Sequence, residues 1–258
     1  MFPGQLGNHI FYLPDDDAIL KVGPPKASEA EAMRFVAANT SIPVPKVIDS
    51  DFKGERGWIK MSKIPGQLLA DAWSSFSDTQ KASLAAQLRD YLTQLRNISG
   101  DFYGALWREA CPDVFFAHLP WTSEANYLLY GPFDTHAAYN LGLIDALRNS
   151  RPDGLEPSDS DNALITKIAA TTDDRKIFSH GDLHNLNIFV DGKGIITGIL
   201  DWGTAGFSIS GREYFETKDR ARSQDWIHVV DDIFPEDAKG DYEILRELNQ
   251  ALVMYTGI

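Results

Sequence analysis

His180-Gly181-Asp182-Leu183-His184-Asn185-Leu186-Asn187-Ile188-Phe189-Val190, followed by Ile199-Leu200-Asp201-Trp202-Gly203, decides how this chain is read. An Asp and an Asn stand one short loop apart before an apolar run, and a second Asp closes another apolar run. The runs Ile188-Phe189-Val190 and Ile195 to Leu200 flank Asp191-Gly192 and read as a hairpin. That hairpin folds Asn187 and Asp201 onto one side of a cleft, and both are hard oxygen ligands suited to Mg²⁺. Asp182 is the candidate catalytic carboxylate, able to orient a hydroxyl and accept its proton. His180 is the other catalytic candidate, with a role in fixing the loop by hydrogen bonding. A base and metal ligands in this order are the parts that phosphoryl transfer requires.

Each of these residues alone is more often a turn or cap residue, and an Asp-Gly hairpin between apolar strands needs no function. Their joint occurrence in order is what points to chemistry; His184 alone reads as structural. A second reading stays open. His180, Asp182 and His184 alternate, so on an extended segment they share one side, and with Asp201 they suit a transition metal in a hydrolase. That reading leaves Asn187 without a role.

Composition narrows the partners. The 258 residues suffice for a large core, and their formal net charge of −13 opposes binding to nucleic acid or to an anionic membrane. The same charge suits a cationic small molecule. Cys111 stands alone, so an intrachain disulfide and a cysteine zinc site are excluded. No apolar run is long enough to span a bilayer, and Met1 to Gly23 does not read as a signal peptide, so the expected location is cytoplasmic.

The chain changes character once. Ile10 to Leu13, a turn at Pro14 to Asp17, and Ala18 to Val22 read as a hairpin ended by Pro24-Pro25. Ser28 and Glu31 read as the capping box of a helix continued by Ala32, Phe35 and Val36. Pro43 and Pro45 break that helix before a strand at Lys46 to Ile48, and Trp58 to Met61 reads as another strand. After Gly66 the pattern is mostly helical: Ser77 and Gln80 form a second capping box, with a core stripe at Leu84, Leu88, Tyr91, Leu92 and Leu95. Arg151 to Asp161 reads as a loop, Ala163 to Ala170 as a short helix, and the tail from Glu213 as helical. The expected organisation is a β-rich lobe over residues 1–62, a hinge at 63–66 and a helical lobe over 67–258.

The segment from His180 to Ile188 resembles the HxDxxxxN catalytic loop of the aminoglycoside phosphotransferase and choline kinase family, and Ile199 to Trp202 resembles its metal-binding Asp segment. Ser28 to Val36 and Ile42 to Val47 resemble the helix and following strand of that family's small lobe. Gly131-Pro132-Phe133 and Glu213-Tyr214 resemble segments of its fungal-type members. The resemblance covers nearly the whole chain. It implies an α+β, bilobal protein-kinase-like fold and a kinase that uses Mg²⁺ and ATP, with GTP open as donor, to phosphorylate a hydroxylated small molecule.

The resemblance also implies residue roles. Lys21 matches the strand lysine that holds the nucleotide phosphates, with Glu29 as its helix partner and Glu31 as the alternative. Met61 to Gly66 matches the hinge, placing adenine against backbone near Lys63 and Ile64 and against the Met61 side chain. Pro3 to His9 matches the phosphate-covering loop but lacks the full glycine pattern, and Gly203 stands where relatives often carry an acid. These departures leave a nucleotide-binding module with little turnover as the alternative within the same fold. Glu213, Glu216, Asp219, Asp231 and Asp232 are candidates for meeting a cationic acceptor, but read first as solvated helix faces. Trp202, Tyr214 and Trp226 read equally as core or as cation–π partners.

Overall fold

The structure is a computed structural model that describes residues 8–23, 27–53, 56–117, 129–152, 154–221 and 223–256. In chain order its elements are β1 (His9–Leu13), β2 (Ala18–Gly23), α1 (Ala27–Asn39), β3 (Val47–Asp51), β4 (Gly57–Ser62), β5 (Gln67–Leu68), α2 (Leu69–Ala72) and α3 (Asp78–Arg96). There follow α4 (His136–Asn149), α5 (Asp159–Ala170), β6 (Ile177–Ser179), β7 (Ile188–Val190), β8 (Ile196–Ile199), β9 (Gly206–Ser208), α6 (Arg212–Asp219), α7 (Gln224–Ile233) and α8 (Tyr242–Thr256). They fall into two compact units, one comprising residues 1–91 and 182–204, the other 92–181 and 205–258.

The first unit is built on a four-stranded antiparallel sheet in the order β1-β2-β4-β3. The β1–β2 hairpin is the expected one. Pro14 opens a short 3-10 turn, and Asp17, at φ +44°, closes it by donating its N–H to Pro14 O and accepting Tyr12 OH at 2.9 Å. Lys21 pairs with Ile59 across β2 and β4. Helix α1 buries Glu29, Ala30, Ala32, Met33 and Val36. It already includes Ala27, so Ser28 lies inside the helix and is not its N-cap; Glu31 pairs instead with Arg34 one turn on.

The expected capping box of α3 is present: Ser77 N donates to Gln80 Oε1 at 3.0 Å and Gln80 N to Ser77 Oγ at 3.3 Å. Its stripe at Leu84, Leu88, Leu92 and Leu95 is buried. β7 and β8 form the expected hairpin, with Ile188 opposite Ile199 and Asp191 Oδ1 accepting the N–H groups of Lys193 and Ile195. The segment 63–66 carries no regular structure and is strapped to this hairpin: Thr197 Oγ1 donates to Pro65 O, and Gln67 pairs with Val190. Gly66 has φ +103° and lies so close to Val190 O that a Cβ would sit 2.3 Å from it, so only glycine fits. The segment read as the hinge is thus interior to the first unit, whose boundaries lie at 91/92, 181/182 and 204/205.

The core of the second unit gathers Phe115, Tyr139, Leu143, Leu147, Leu164, Ile168, Phe215, Leu248 and Leu252 from α4, α5, α6, α8 and the chain before α4. β6 and β9 pair antiparallel, Ile177 opposite Ser208. Phe133 lies against Gly142 of α4, and its backbone pairs with Tyr103, which gives Gly131 to Phe133 a structural place. α5 begins earlier than the sequence suggested. Asp161 is not a loop residue but the capping partner of Ser158, and it also pairs with the buried Arg151. Among the described residues no helix is long and apolar enough to cross a membrane.

Candidate active site

Lys21, Glu29 and Asp201 meet in the first unit. Lys21 Nζ donates to Glu29 Oε1 at 2.7 Å and to Asp201 Oδ1 at 2.8 Å. The choice between Glu29 and Glu31 is settled by helix geometry, because Glu29 lies on the buried stripe with Met33 and Val36 while Glu31 is turned to Arg34. A carboxylate on a buried helix face requires a charged partner, and Lys21 supplies it. Burial alone would push the Lys21 ammonium down; the charges of Glu29 and then Asp201 outweigh it and hold its pKa above the ordinary value. Lys21 is therefore a fixed cation. Asp201 follows β8 at φ +60°, a left-handed conformation that Asp tolerates better than most residues. Its side chain is 46% exposed, against 11% for Lys21 and 7% for Glu29. Gly203 sits beside this group: a Cβ there would lie 3.7 Å from both Asp201 Oδ1 and Glu29 Oε2, so an acid at this position would add a third carboxylate next to Lys21.

The loop before β7 forms the second cluster of the same unit. Asn187 Nδ2 donates to the Asp182 carbonyl at 2.8 Å and to Asp182 Oδ2 at 3.0 Å. With its nitrogen so engaged, the Asn187 side-chain oxygen is the end left for a cation. His184 Nδ1 accepts the Leu186 N–H at 3.2 Å, and its Nε2 lies 3.4 Å from Asp182 Oδ1 and 3.3 Å from Asn187 Nδ2. His184, read from sequence as structural, lies beside both Asp182 and Asn187. Leu200 N donates to Asn187 O at 2.8 Å, so the hairpin brings Asn187 and Asp201 to its same end, as the spacing predicted.

The remaining expectations fall as follows. Met61 is buried in β4 opposite Ile19, Lys63 is exposed with its Nζ over the Tyr12 ring, and Ile64 packs against Gly198. Residues 3–7 of the expected phosphate-covering loop, and Pro24-Pro25, lie outside the described residues. Trp202, Tyr214 and Trp226 are buried, and Lys218 Nζ lies 5.1 Å over the Tyr214 ring. Among the described residues no group of three or more His, Cys, Asp and Glu side chains is arranged to hold a metal ion. A nucleotide-borne Mg²⁺ needs only one or two protein ligands beside the phosphates.

His180 belongs to the second unit and is completely buried. Its backbone N–H and that of Gly181 both donate to Glu213 Oε2. Glu213 and Glu216 are not solvated, contrary to the reading of the tail; they are 5% and 1% exposed. They join a buried network in which Arg212 Nη1 lies 3.1 Å from Asp113 Oδ1 and Arg212 Nε lies 3.3 Å from Glu216 Oε1. By composition and spacing the run Arg212-Glu213-Tyr214-Phe215-Glu216 reads as a surface helix. Beside the family resemblance of Glu213-Tyr214, a further signal is Gly181, whose φ of +77° marks a turn that neighbouring groups must hold.

Burial pushes the Glu216 carboxyl up to about 7, with Arg212 opposing and Asp113 and Arg220 bearing on the balance. The folded protein thus retains this proton where the unfolded chain has lost it. The resulting stability is complete below pH 4.5 and is lost as pH rises through about 7. Glu216→Gln has no such proton to lose. Relative to the wild type it should gain on the order of 2 kcal/mol between about pH 5 and 8; denaturation curves that stay parallel across that range would disprove the assignment.

The model of the phosphotransferase enzyme family matches residues 2–248. The clavilactone A biosynthesis cluster protein Y of Ampulloclitocybe clavipes is 28% identical over 206 residues, 68% of this chain and 48% of that protein. The chain thus spans about half the length of this curated relative. The streptomycin–ATP–APH(2")-IIa ternary complex superposes with a TM-score of 0.60 at 16% identity, covering 99% of this chain and 86% of that one. Macrolide 2'-phosphotransferase type I gives 0.54 at 11% identity, covering 99% and 85%. These structures carry the protein-kinase-like fold, and the α+β class expected from the sequence is borne out. By its family match and its fold, the chain belongs to the phosphotransferase enzyme family.

Proposed function

We propose that this phosphotransferase moves the γ-phosphoryl group of ATP to a hydroxyl of a small molecule, with Mg²⁺ on the nucleotide. The observation that carries the reading is the Lys21–Glu29–Asp201 group, a half-buried cation held between two carboxylates of unequal exposure. Lys21 binds the phosphates and Glu29 keeps it in place. Asn187 and Asp201 offer the donor set that Mg²⁺ takes, one amide oxygen and one accessible carboxylate. When bound, Mg²⁺ neutralises charge on the phosphates.

Asp182 orients the acceptor hydroxyl and takes its proton as the oxygen attacks the γ-phosphorus; the bond to the β–γ bridging oxygen breaks and ADP leaves. Asn187 and His184 hold the Asp182 carboxylate in register, and His180 anchors the loop from its buried position. Met61, Lys63 and Ile64 meet the adenine in this reading, with 63–66 as the adenine-contacting strap within the first unit. A GTP donor would meet the same groups. The net charge of −13 favours an amine or amino-sugar-like acceptor.

The test is binding of Mg²⁺·ATP by calorimetry together with transfer from labelled ATP to a panel of hydroxylated amines. Asp201→Ala should weaken Mg²⁺-dependent binding of ATP at least tenfold while leaving metal-free binding within about twofold. Equal Mg²⁺·ATP affinity in wild type and variant would remove Asp201 from the metal site.

A further inference from the structure

Gly181, the residue before Asp182, is gripped at both its N–H and its carbonyl by one short stretch of chain. Glu213 Oε2, in the first turn of α6, accepts the N–H of Gly181 at 3.0 Å and that of His180 at 2.5 Å. Arg220, the C-cap of the same helix, donates from Nη1 to the Gly181 carbonyl at 3.0 Å. Glu213 and Arg220 are seven residues apart, two turns of helix, and so project from one face. Glu216 stands between them on that face, its Oε2 3.9 Å from Arg220 Nη1. The acid therefore holds the donor side of the turn, and the guanidinium, flanked by a buried carboxylate, holds the acceptor side. Hydrogen bonds to charged groups are the stronger kind, and two of opposite sign restrain a glycine whose own backbone offers little stiffness.

We propose that Arg220 is a positioning residue for the base: with Glu213, it fixes the Gly181 peptide and thereby the backbone from which Asp182 projects. This rests on the reading of Asp182 as base. A misplacement of the order of 1 Å in a reacting group lowers turnover by up to about a hundredfold, so release of one side of the turn should read out in kcat.

Because the acceptor is unidentified, Mg²⁺·ATP hydrolysis with water as acceptor serves as the activity probe, beside amide hydrogen exchange of residues 180–183. Arg220→Met keeps the aliphatic stem and removes the donors. It should speed exchange in 180–183 at least tenfold and lower kcat at least tenfold, with the KM for ATP within twofold; Arg220→Lys, which restores a charged donor, should recover most of both. A residue that only stabilised the fold would change the folded fraction and leave kcat per folded molecule alone. Exchange at the wild-type rate in Arg220→Met, an unchanged kcat, or a Lys variant no better than Met overturns the proposal. If the Met variant does not fold, Arg220→Lys decides: exchange a few times faster with kcat lowered in step supports the proposal, and wild-type values of both overturn it. Wild-type protein that neither binds nor hydrolyses Mg²⁺·ATP sinks the phosphotransfer reading and the catalytic consequence for Arg220. The exchange comparison still decides whether Arg220 holds the turn.

Discussion

Asp182→Asn is expected to lower phosphoryl transfer by about 10²- to 10⁴-fold, the range that a positioned general base contributes. Asparagine is the informative replacement because it keeps the shape and one acceptor oxygen. Asn187 Nδ2, which donates to Asp182 Oδ2 at 3.0 Å and to its backbone carbonyl at 2.8 Å, retains both acceptors. The loop should therefore hold, and Lys21, Glu29 and Asp201 make their mutual contacts through other atoms. Binding of Mg²⁺·ATP should stay within about threefold and the melting temperature within a few degrees, so that the loss appears in kcat alone. Transfer at the wild-type rate in this variant would remove Asp182 from the chemistry. A different outcome, in which the wild type binds Mg²⁺·ATP but turns over no faster than Asp182→Asn, would identify a nucleotide-binding module without phosphotransfer.

The parts of the site that could be read from sequence are those built by neighbours in the chain. Asn187 and Asp201 flank two short apolar runs joined by Asp191-Gly192, so local β-pairing suffices to bring them to one end of a hairpin. The capping box at Ser77 and the leucine stripe of α3 are equally local. Ser28 shows the limit of local signals, since α1 starts before it. Choosing Glu29 over Glu31 needed the helix phase relative to the sheet, which the sequence left open.

Less legible was whatever depends on contacts between distant segments. Gln67 pairs with Val190 and Gln87 Oε1 accepts the Ile196 N–H, and such bonds draw residues 182–204 into the unit formed by the first 91 residues, across a change in composition near 63–66. The charged helix α6 was the larger surprise. Glu213 and Glu216 look like surface residues because the backbone groups they accept from, at Gly181 and Val114, lie far away in sequence. Burying an acid is costly unless a partner meets it, and no periodicity in a single segment reveals that partner. The surroundings of His184 were hidden for a related reason: its contacts with Asp182 and Asn187 depend on how the loop folds back on itself.

Arg212→Met is expected to destabilise the protein by about 3–5 kcal/mol, the loss typical of removing one member of a buried charge network. Arg212 is completely buried, and its guanidinium faces Asp113 and Glu216, whose side chains are 0% and 1% exposed. Asp113 Oδ2 also accepts the hydroxyls of Tyr139 and Ser208. Methionine fills much of the same volume but leaves carboxylates in an apolar interior with no cation between them. For a chain of this size the loss corresponds to a fall in melting temperature of about 10 °C. The deficit carries a pH signature that a packing defect lacks. Without the Arg212 charge that opposes the rise, the Glu216 carboxyl is pushed up further, so the variant's stability is present at low pH and lost as pH rises, and the gap to wild type should widen from about pH 5 to 8. Adding Asp113→Asn and Glu216→Gln to Arg212→Met removes the uncompensated charge and should recover at least half of the loss, since buried ion networks are often replaceable by neutral groups of similar volume. Thermal and urea denaturation of the single and triple variants at pH 5 and pH 8 decides the matter. A deficit below about 1 kcal/mol, or one equal at both pH values, would mean that Arg212 acts by packing and not by holding two acids in the core.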